Sequence, residues 1–397
     1  MKLILHSGCI WVLLFRMYPL DSIGIGRNQS NRLTQIIESR DPSFGGDFHH
    51  TYWPQSSFYS SENYLFLLDT YCYTIFNFQE KESTEIIISN DCLFGDKITG
   101  LILQAKSFPE LVARGNKIFG YQPKLPDWVF DGAILELQDG IEVVLKRFED
   151  ARTHRVEITA LYIKDWTGQD VSQFYGGQPK WNWIRSDSYA NIDIFSENMK
   201  RIRNARILGY LSPYIESGTE CFNQFTPFLI YNYKENSAPK LLNFGVVTSG
   251  GTIDVWSKSS NLHYINWITE HLLHAGFKGW MADSGEYFPI NLEVNSNGQC
   301  SYQPNFDTSY PICPTITCHN EFPIKWSKLN YEIAATFANG SDADEILIFL
   351  RSGGLWAAQY TPILNAGEQN VDWSISDGLP STITAGVFIY LQKCNNI

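Results

Sequence analysis

The sequence predicts an α/β protein in which an incomplete (β/α)8 TIM barrel follows part of an antiparallel β-sandwich domain. The first observation is that, after residue 123, short apolar runs alternate with segments whose apolar residues recur at helical spacing. This alternation is typical of parallel strands joined by crossover helices. The second is that the preceding residues contain short apolar and aromatic runs separated by turn residues, which is typical of antiparallel strands.

A change of composition near Pro123 and Pro126 divides the sequence into two predicted domains. Residues 1–122 are assigned to a partial amino-terminal β-sandwich with a linking helix, and residues 123–397 to a partial barrel domain that lacks the last strands. The linking helix is predicted over residues 107–119, with Ser107 as its N-cap ahead of Glu110. Sandwich strands are predicted at residues 64–68, 73–76 and 85–88.

Six barrel strands are predicted after this boundary, followed by a last helix over residues 382–391. The strands are predicted at residues 129–137, 158–163, 207–214, 279–283, 346–351 and 363–369. Between them, one helical face is formed by Ile141, Val144, Leu145 and Phe148, and another by Phe195, Met199 and Ile202. Because a closed barrel of this type needs eight strands, we expect about two βα units to be absent from the chain.

The composition argues against some classes of partner. The formal net charge is -12, with 30 Lys and Arg residues against 42 Asp and Glu residues. We therefore expect neither nucleic acid nor an anionic membrane as a partner. No apolar run reaches the roughly 18 residues of a membrane-spanning helix. The 12 Trp and 21 Tyr residues suit core packing and also stacking against sugar rings.

The cysteines are spread along the chain without the paired spacing of a zinc site. Most of the 8 are expected to be buried free thiols. Cys300, Cys313 and Cys318 lie close together in sequence, so one loop disulfide among them is an alternative if the protein is exported. The sequence leaves the cellular location open.

Polar residues at the predicted carboxyl ends of the barrel strands are the candidates for chemistry, because barrel enzymes build their sites from these ends and the following loops. They are Gln138, Lys164, Asp165, Asp283, Arg351 and Glu368. Any one of them alone is more often a solvated loop residue or a helix cap. The set of six favours an active site. Asp283 and Glu368, on different strand ends, are the candidates for the two carboxylates that glycosidic bond cleavage needs, and we expect their carboxyl groups to lie within about 8 Å of each other at the same end of the barrel.

Two segments carry a family resemblance. Residues 279–287, with the sequence GWMADSGEY, resemble the nucleophile segment of the sulfoquinovosidase branch of glycoside hydrolase family 31. Residues 366–374, with the sequence AGEQNVDWS, resemble its acid/base segment. The resemblance extends from Tyr18 to the end of the sequence and implies that the chain is truncated at both ends relative to the family.

The resemblance implies a retaining mechanism in which Asp283 forms a covalent glycosyl intermediate and Glu368 acts as acid and base. It implies a carbohydrate substrate, either an α-sulfoquinovoside or an α-glucoside, with no metal and no organic cofactor. Gln138, Lys164 and Trp181 match positions that recognise the sulfonate in the family. The remaining residues placed in or around the substrate pocket are Asp165, Trp166, Trp280, Arg351 and Asp372. Glu286 and Asp372 are candidates for carboxylates that orient the reacting pair, and ordinary helix or loop contacts explain them equally well.

Some positions depart from the family pattern. The family acid/base is Asp, whereas Glu368 has one methylene more, and retaining enzymes hold their two carboxyl groups only about 5 to 5.5 Å apart. Asn365 stands where the family has Trp. Two alternatives therefore stay open. One is an α-glucosidase acting on neutral sugars, favoured if Lys164 does not face the pocket; the other is an inactive or fragmentary homologue that at most binds sugar.

Overall fold

The computed structural model describes residues 2–6, 53, 55–72, 74–77, 83–88, 99–170, 178–230, 239, 241–244, 248–288, 315–337, 345–365 and 373. The predicted helix over residues 382–391 and the predicted strand residues after 365 lie outside them. The predicted fold class is confirmed: an antiparallel β domain precedes an incomplete barrel built on a parallel sheet.

Most of the strands belong either to the antiparallel β domain or to the barrel sheet. In chain order they are β1 (Lys2–His6), β2 (Ser57–Ser60), β3 (Tyr64–Leu68), β4 (Thr74–Asn77), β5 (Ser83–Ile88), β6 (Gly100–Gln104), β7 (Ala133–Leu137), β8 (Ile158–Ile163), β9 (Gln169–Asp170), β10 (Gln178–Pro179), β11 (Arg206–Leu211), β12 (Tyr214–Glu216), β13 (Leu241–Phe244), β14 (Thr248–Thr252), β15 (Gly279–Ala282), β16 (Leu347–Leu350) and β17 (Ile363–Leu364).

The α-helices are α1 (Phe108–Phe119), α2 (Ile141–Thr153), α3 (Ile192–Arg203), α4 (Glu220–Phe225), α5 (Lys258–Ile268) and α6 (Thr315–Phe337). Short 3-10 turns lie at Asp127–Asp131, Asp187–Tyr189, Thr226–Phe228, Gly285–Tyr287 and Ala357–Tyr360, and a π-helical turn at Thr269–Leu273 extends α5. No helix of the described residues is long and apolar enough to cross a membrane.

The described part of the antiparallel domain contains two three-stranded sheets, ordered β1-β5-β4 and β2-β3-β6. Phe58 and Phe66 are cross-strand partners whose rings stack 5.3 Å apart, and both contact Phe76 of the other sheet. Because side chains alternate along a strand, Leu65 and Leu67 of β3 point the other way and pack against Leu111, Phe119 and Leu355. This strand is therefore buried on both faces, between the second sheet and α1.

Helix α1 begins as the sequence predicts. The Ser107 hydroxyl accepts a hydrogen bond from the Glu110 amide at 3.4 Å, and the Glu110 carboxylate accepts one from the Lys106 amide at 3.0 Å. These contacts satisfy backbone donors that the first helical turn leaves unpaired. The predicted N-cap is confirmed.

Within the described residues, the barrel sheet has six parallel strands in the order β17-β16-β15-β11-β8-β7. Every residue of β8 and β11 is buried, as expected for strands covered on both faces. The predicted strand at residues 158–163 matches β8 at both ends. Val144 and Phe148 of α2 and Phe195 and Met199 of α3 are buried on the predicted helical faces.

Three details of the prediction are wrong. The strand predicted from residue 129 begins only at Ala133, because Asp127–Asp131 forms a 3-10 turn that buries Trp128. The strand predicted over residues 207–214 ends at Leu211, since Pro213 cannot donate to a sheet ladder. Tyr214 instead starts β12, which joins β14 and β13 in a separate antiparallel sheet. Finally, two residues of the predicted apolar helical faces are exposed, Leu145 to 40% and Ile202 to 58%.

The cysteines also differ from expectation. Cys72 and Cys318 are disulfide-bonded, so the prediction that most cysteines are free thiols is wrong for these two. Cys221 is a buried free thiol, and burial raises its pKa. Cys300 and Cys313, the other two candidates for a loop disulfide with Cys318, lie outside the described residues.

Asp254, just before α5, makes stability depend on pH. Its side chain is buried and accepts a hydrogen bond from the Trp256 amide at 3.0 Å. Burial raises its pKa from 3.8 to about 7, although this hydrogen bond opposes the shift. Between these two values the folded protein keeps a proton on Asp254 that the unfolded chain has released, so stability falls as pH rises.

We therefore expect Asp254→Asn, which keeps the acceptor oxygen but cannot ionise, to gain stability relative to wild type as pH rises from about 4 to 7. The gain is on the order of 1.4 kcal/mol per pH unit. Melting temperatures of both proteins across this range measure it. Asp127→Asn is the matched control, because the Asp127 side chain is 85% exposed and its variant should track wild type. A constant difference between Asp254→Asn and wild type would contradict the expectation.

Candidate active site

Asp283 lies at the carboxyl end of β15, directly after its last residue. Its amide donates a hydrogen bond to the Leu211 carbonyl at 2.8 Å, which continues the pairing between β15 and β11 by one residue. Its side chain is almost wholly buried, at 7% exposure for the residue. The sheet therefore fixes the backbone of Asp283 between two neighbouring parallel strands, β11 and β16.

Both carboxylate oxygens of Asp283 have partners from these neighbouring strands. The Tyr210 hydroxyl, on β11, donates to Oδ2 at 2.8 Å. Nε of Arg351, directly after β16, lies 2.8 Å from Oδ1. This contact is an ion pair between two nearly buried side chains, 5% and 10% exposed. The carboxylate is thus held from two sides.

Glu286 completes a buried group of three charged residues. Its Oε1 lies 2.5 Å from Nη2 of Arg351, and both side chains are 5% exposed. The guanidinium also lies over the Tyr287 ring, 5.1 Å from its centroid. Burial raises the pKa of Glu286 to about 7; the Arg351 charge opposes the shift and the Asp283 charge adds to it. One guanidinium therefore serves two carboxylates in a site with little access to water.

A tight turn after Asp283 places Glu286. Ser284 adopts the left-handed conformation, with φ at 61°, and its carbonyl accepts a hydrogen bond from the Tyr214 hydroxyl at 3.2 Å. A Cβ atom at Gly285 would stand 2.3 Å from the Ser352 hydroxyl and 2.7 Å from a carbon of the Trp326 ring. A side chain therefore does not fit at Gly285, and the turn that follows Asp283 is fixed by packing.

The residues predicted to recognise a sulfonate lie at the same end of the sheet. Lys164 is half-buried after β8, with its ammonium 5.9 Å from the centroid of the Tyr210 ring, whose hydroxyl holds Asp283. Trp181 packs on the Tyr214 ring at 5.4 Å. Gln138 follows β7 and is half-buried. Contact of these residues with a substrate stays a prediction.

Asp165, another predicted site residue, connects two loops through hydrogen bonds. Asp165 accepts hydrogen bonds from the Tyr189 hydroxyl, the Asp139 amide and the Gln169 amide side chain, at 2.6, 3.0 and 2.9 Å. It thereby joins the loops that follow β7 and β8.

Two of the predicted tryptophans are fully buried. The Trp166 ring donates its N–H to the Tyr210 carbonyl at 3.0 Å, and Trp280 donates to the Asn330 side chain at 2.7 Å. Both therefore position residues of the barrel strands, and their contact with a sugar stays a prediction.

Glu368 and Asp372 lie outside the described residues, so the separation between Asp283 and Glu368 stays a prediction. The nearest described position before Glu368 is Asn365, whose amide donates to the Leu350 carbonyl at 2.7 Å. This contact places Asn365 at the same end of the sheet as Arg351 and Asp283.

The sequence did not reveal Tyr210 and Tyr214 as site residues. Both lie in or after a buried strand rich in apolar residues, where a tyrosine usually fills the core. Only the register, which pairs Tyr210 with Met281 two residues before Asp283, brings its hydroxyl to the carboxylate. Among the described residues, no group of His, Cys, Asp and Glu is arranged to hold a metal ion.

Comparison with curated proteins gives two sulfoquinovosidases as relatives. The enzyme of Escherichia coli strain K12 is 29% identical over 365 residues, which are 92% of this chain and 50% of that protein. The enzyme of Agrobacterium fabrum is 28% identical over 376 residues, covering 93% of this chain and 52% of that protein. The chain therefore spans about half the length of these relatives. No family model matches the sequence.

Comparison with solved structures gives glycosidases of family GH31. A GH31 family sulfoquinovosidase from E. rectale, in complex with the aza-sugar inhibitor IFGSQ, matches with a TM-score of 0.76 and 25% identity. The match covers 93% of this chain and 52% of that structure. The GH31 dextranase of Flavobacterium johnsoniae, in complex with isomaltotriose, matches with a TM-score of 0.68 at 13% identity, covering 85% of this chain and 40% of that one, and this likeness shows the fold alone. In sequence and in fold, the chain is thus similar to the sulfoquinovosidases of glycoside hydrolase family 31.

Proposed function

We propose that this chain carries the nucleophile site of a retaining glycoside hydrolase that cleaves an α-glycosidic bond. The observation that carries the proposal is Asp283, a buried carboxylate at the carboxyl end of β15 with both oxygens held. It lies in a segment that resembles the family nucleophile, within a chain 29% identical to a sulfoquinovosidase. Barrel enzymes place catalytic residues at this end of the strands.

In the proposed mechanism, Asp283 attacks the anomeric carbon while Glu368 donates a proton to the leaving oxygen. A bond forms between an Asp283 oxygen and the anomeric carbon, and the glycosidic bond breaks with its electron pair going to the leaving oxygen. Glu368 then removes a proton from water, which displaces Asp283 and releases the sugar with its configuration retained. Arg351 and Tyr210 hold the attacking carboxylate in one orientation. A nucleophile that is already oriented lowers the barrier to attack.

We further propose an α-sulfoquinovoside as the substrate. The support is Lys164, a cation whose ammonium lies 5.9 Å from the ring centroid of the tyrosine that holds Asp283. A sulfonate on the sugar bound at Asp283 would meet this positive charge, with Gln138 and Trp181 as the other recognition residues. An ammonium or amide hydrogen bond to an anion is stronger than one between neutral groups when water is excluded.

Hydrolysis of 4-nitrophenyl α-sulfoquinovoside by the 397-residue chain tests the proposed function. We expect release of 4-nitrophenol, and proton NMR should show the α-anomer as the first sugar product. Faster hydrolysis of 4-nitrophenyl α-glucoside would favour the neutral-sugar alternative. If neither is hydrolysed while calorimetry shows that a sulfoquinovoside binds, the chain is a sugar-binding homologue and the proposed activity is wrong.

Replacing Lys164 with Met should separate the two substrates. We expect the KM for the sulfoquinovoside to rise about 10- to 100-fold, because a hydrogen bond to a charged group is lost, while kinetics on the glucoside stay unchanged. Steady-state rates with both substrates measure this. Lys146→Met is the matched control, since Lys146 is exposed on α2. An equal effect of Lys164→Met on both substrates would remove the argument for sulfonate recognition.

A further inference from the structure

The Tyr210 hydroxyl is placed to act on the candidate nucleophile. Tyr210 lies on β11, is 4% exposed and donates to Oδ2 of Asp283 at 2.8 Å. Three neighbours surround Tyr210. The centroids of the Trp183 and Tyr210 rings are 6.3 Å apart, and the Lys164 ammonium lies over the Tyr210 ring. The Tyr210 carbonyl accepts a hydrogen bond from the Trp166 indole N–H. The hydroxyl therefore cannot follow the carboxylate if that carboxylate turns away.

The hydroxyl also stays protonated. Burial raises the pKa of Tyr210 well above its usual value of 10, and the negative charge of Asp283 raises it further, against a smaller opposing effect of Arg351. At neutral pH Tyr210 therefore keeps its proton and donates a hydrogen bond to the Asp283 carboxylate.

The two partners of Asp283 differ in a way that matters for the chemistry. Arg351 is shared with Glu286, whereas the Tyr210 hydroxyl has Asp283 as its acceptor. A hydrogen bond to a carboxylate is stronger than one to a neutral ester. When Asp283 forms the glycosyl ester its charge disappears, and when water cleaves the ester that charge returns. The Tyr210 hydrogen bond should therefore strengthen during the second step.

We propose that Tyr210 is a positioning residue for Asp283, which holds Oδ2 for attack and stabilises the carboxylate as it leaves the glycosyl ester. This rests on the proposed function. In the second step, a water oxygen forms a bond to the anomeric carbon and gives a proton to Glu368. The bond between the anomeric carbon and Asp283 breaks, with its electron pair going to the carboxylate. Tyr210 keeps its proton throughout.

The kinetic test compares the 397-residue wild type with Tyr210→Phe on 4-nitrophenyl α-sulfoquinovoside. Loss of a hydrogen bond to a charged group should lower kcat on the order of 10- to 100-fold. Because the aryl leaving group departs readily, hydrolysis of the ester becomes limiting, so KM should fall together with kcat. A burst of 4-nitrophenol and a glycosyl adduct in the intact-protein mass spectrum should appear in the variant.

Tyr264→Phe is the matched control, since Tyr264 is fully buried and its hydroxyl lies 3.4 Å from the Ser212 carbonyl. We expect this variant to keep the wild-type kcat and KM. If Tyr210→Phe also keeps them in an active enzyme, the inference about Tyr210 is overturned. A variant that merely misfolds would lose kcat without a lowered KM and without an adduct, which would also count against the inference.

A spectroscopic readout does not depend on turnover. A buried tyrosine hydroxyl that donates to a carboxylate should give a downfield proton resonance that is absent from Tyr210→Phe. The same resonance should move upfield in Asp283→Asn, where the acceptor is neutral. If wild type is inert but the resonance shows both changes, the proposed function is wrong while the hydrogen bond between Tyr210 and Asp283 is confirmed. A wild-type spectrum without such a resonance overturns the assignment of Tyr210.

Discussion

Asp283→Asn is expected to lower turnover of an aryl α-sulfoquinovoside by a factor on the order of 10⁴ or more, because the amide cannot form the covalent glycosyl ester. The substitution is nearly isosteric, and Arg351 keeps its ion pair with Glu286, so its buried charge stays compensated. The site should therefore stay folded and still bind sugar. Initial rates measure the first expectation, and calorimetry with an unreactive sulfoquinovoside measures the second.

The matched control for Asp283→Asn is Asp254→Asn. Both aspartates are buried to a similar degree, at 7% and 8% exposure, and Asp254 lies just before α5 rather than at a strand end. Asp254→Asn should keep wild-type turnover. If both variants lose activity equally, the loss reflects a disturbed fold and says nothing about Asp283. If Asp283→Asn keeps a substantial fraction of wild-type turnover, the covalent mechanism is wrong.

Much of the fold could be predicted from local patterns in the sequence. Residues 158–163 are a continuous apolar run of strand length, and the structure has β8 over the same six residues. The N-cap at Ser107 followed from a polar residue three positions before Glu110, a rule that needs only neighbouring residues. Both features depend on short-range physical chemistry, so tertiary structure did not override them.

Other features depend on residues that are distant in sequence. The strand predicted from residue 129 gives way to a 3-10 turn at Asp127–Asp131, in which the Trp128 indole N–H donates to the Glu345 carbonyl, 217 residues away. Ile202 lies on a helical face that periodicity assigned to the core, yet it is exposed. In each case, packing between elements decides the outcome, and periodicity along one element carries no information about it.

The candidate site shows the same division. Asp283 and Arg351 could be predicted because each follows a recognisable apolar strand. The two ion pairs of Arg351, with Asp283 and with Glu286, depend on β15 and β16 being neighbours in the sheet. Glu286 is predicted as an orienting carboxylate from its place three residues after Asp283. Its ion pair with Arg351 places it in the same buried group, and its orienting role stays a prediction.

Arg351 is therefore the residue whose loss should disturb this site most. It is 4% exposed and is the ion-pair partner of both Asp283 and Glu286. Burying a charge is costly unless it is paired, and removing one partner of a buried pair leaves the other uncompensated. Arg351→Met keeps much of the volume and removes the charge, so Asp283 and Glu286 would then face each other as two carboxylates.

We expect Arg351→Met to lower the free energy of unfolding by about 3 to 5 kcal/mol, the usual effect of breaking a buried ion pair. Arg114→Met is the control, because Arg114 pairs with Glu110 on the surface, where solvent screens the interaction and the melting temperature should hardly change. Adding Glu286→Gln to Arg351→Met removes one of the two unpaired charges and should recover part of the lost stability. Burial raises the pKa of Glu286 to about 7 even beside Arg351. Lowering the pH should therefore protonate Glu286 and recover stability in Arg351→Met too. Chemical denaturation of wild type, Arg351→Met, Arg114→Met and the double variant at pH 5 and pH 8 measures both effects. A double variant no more stable than Arg351→Met at pH 8 would show that Glu286 is not the group that Arg351 compensates.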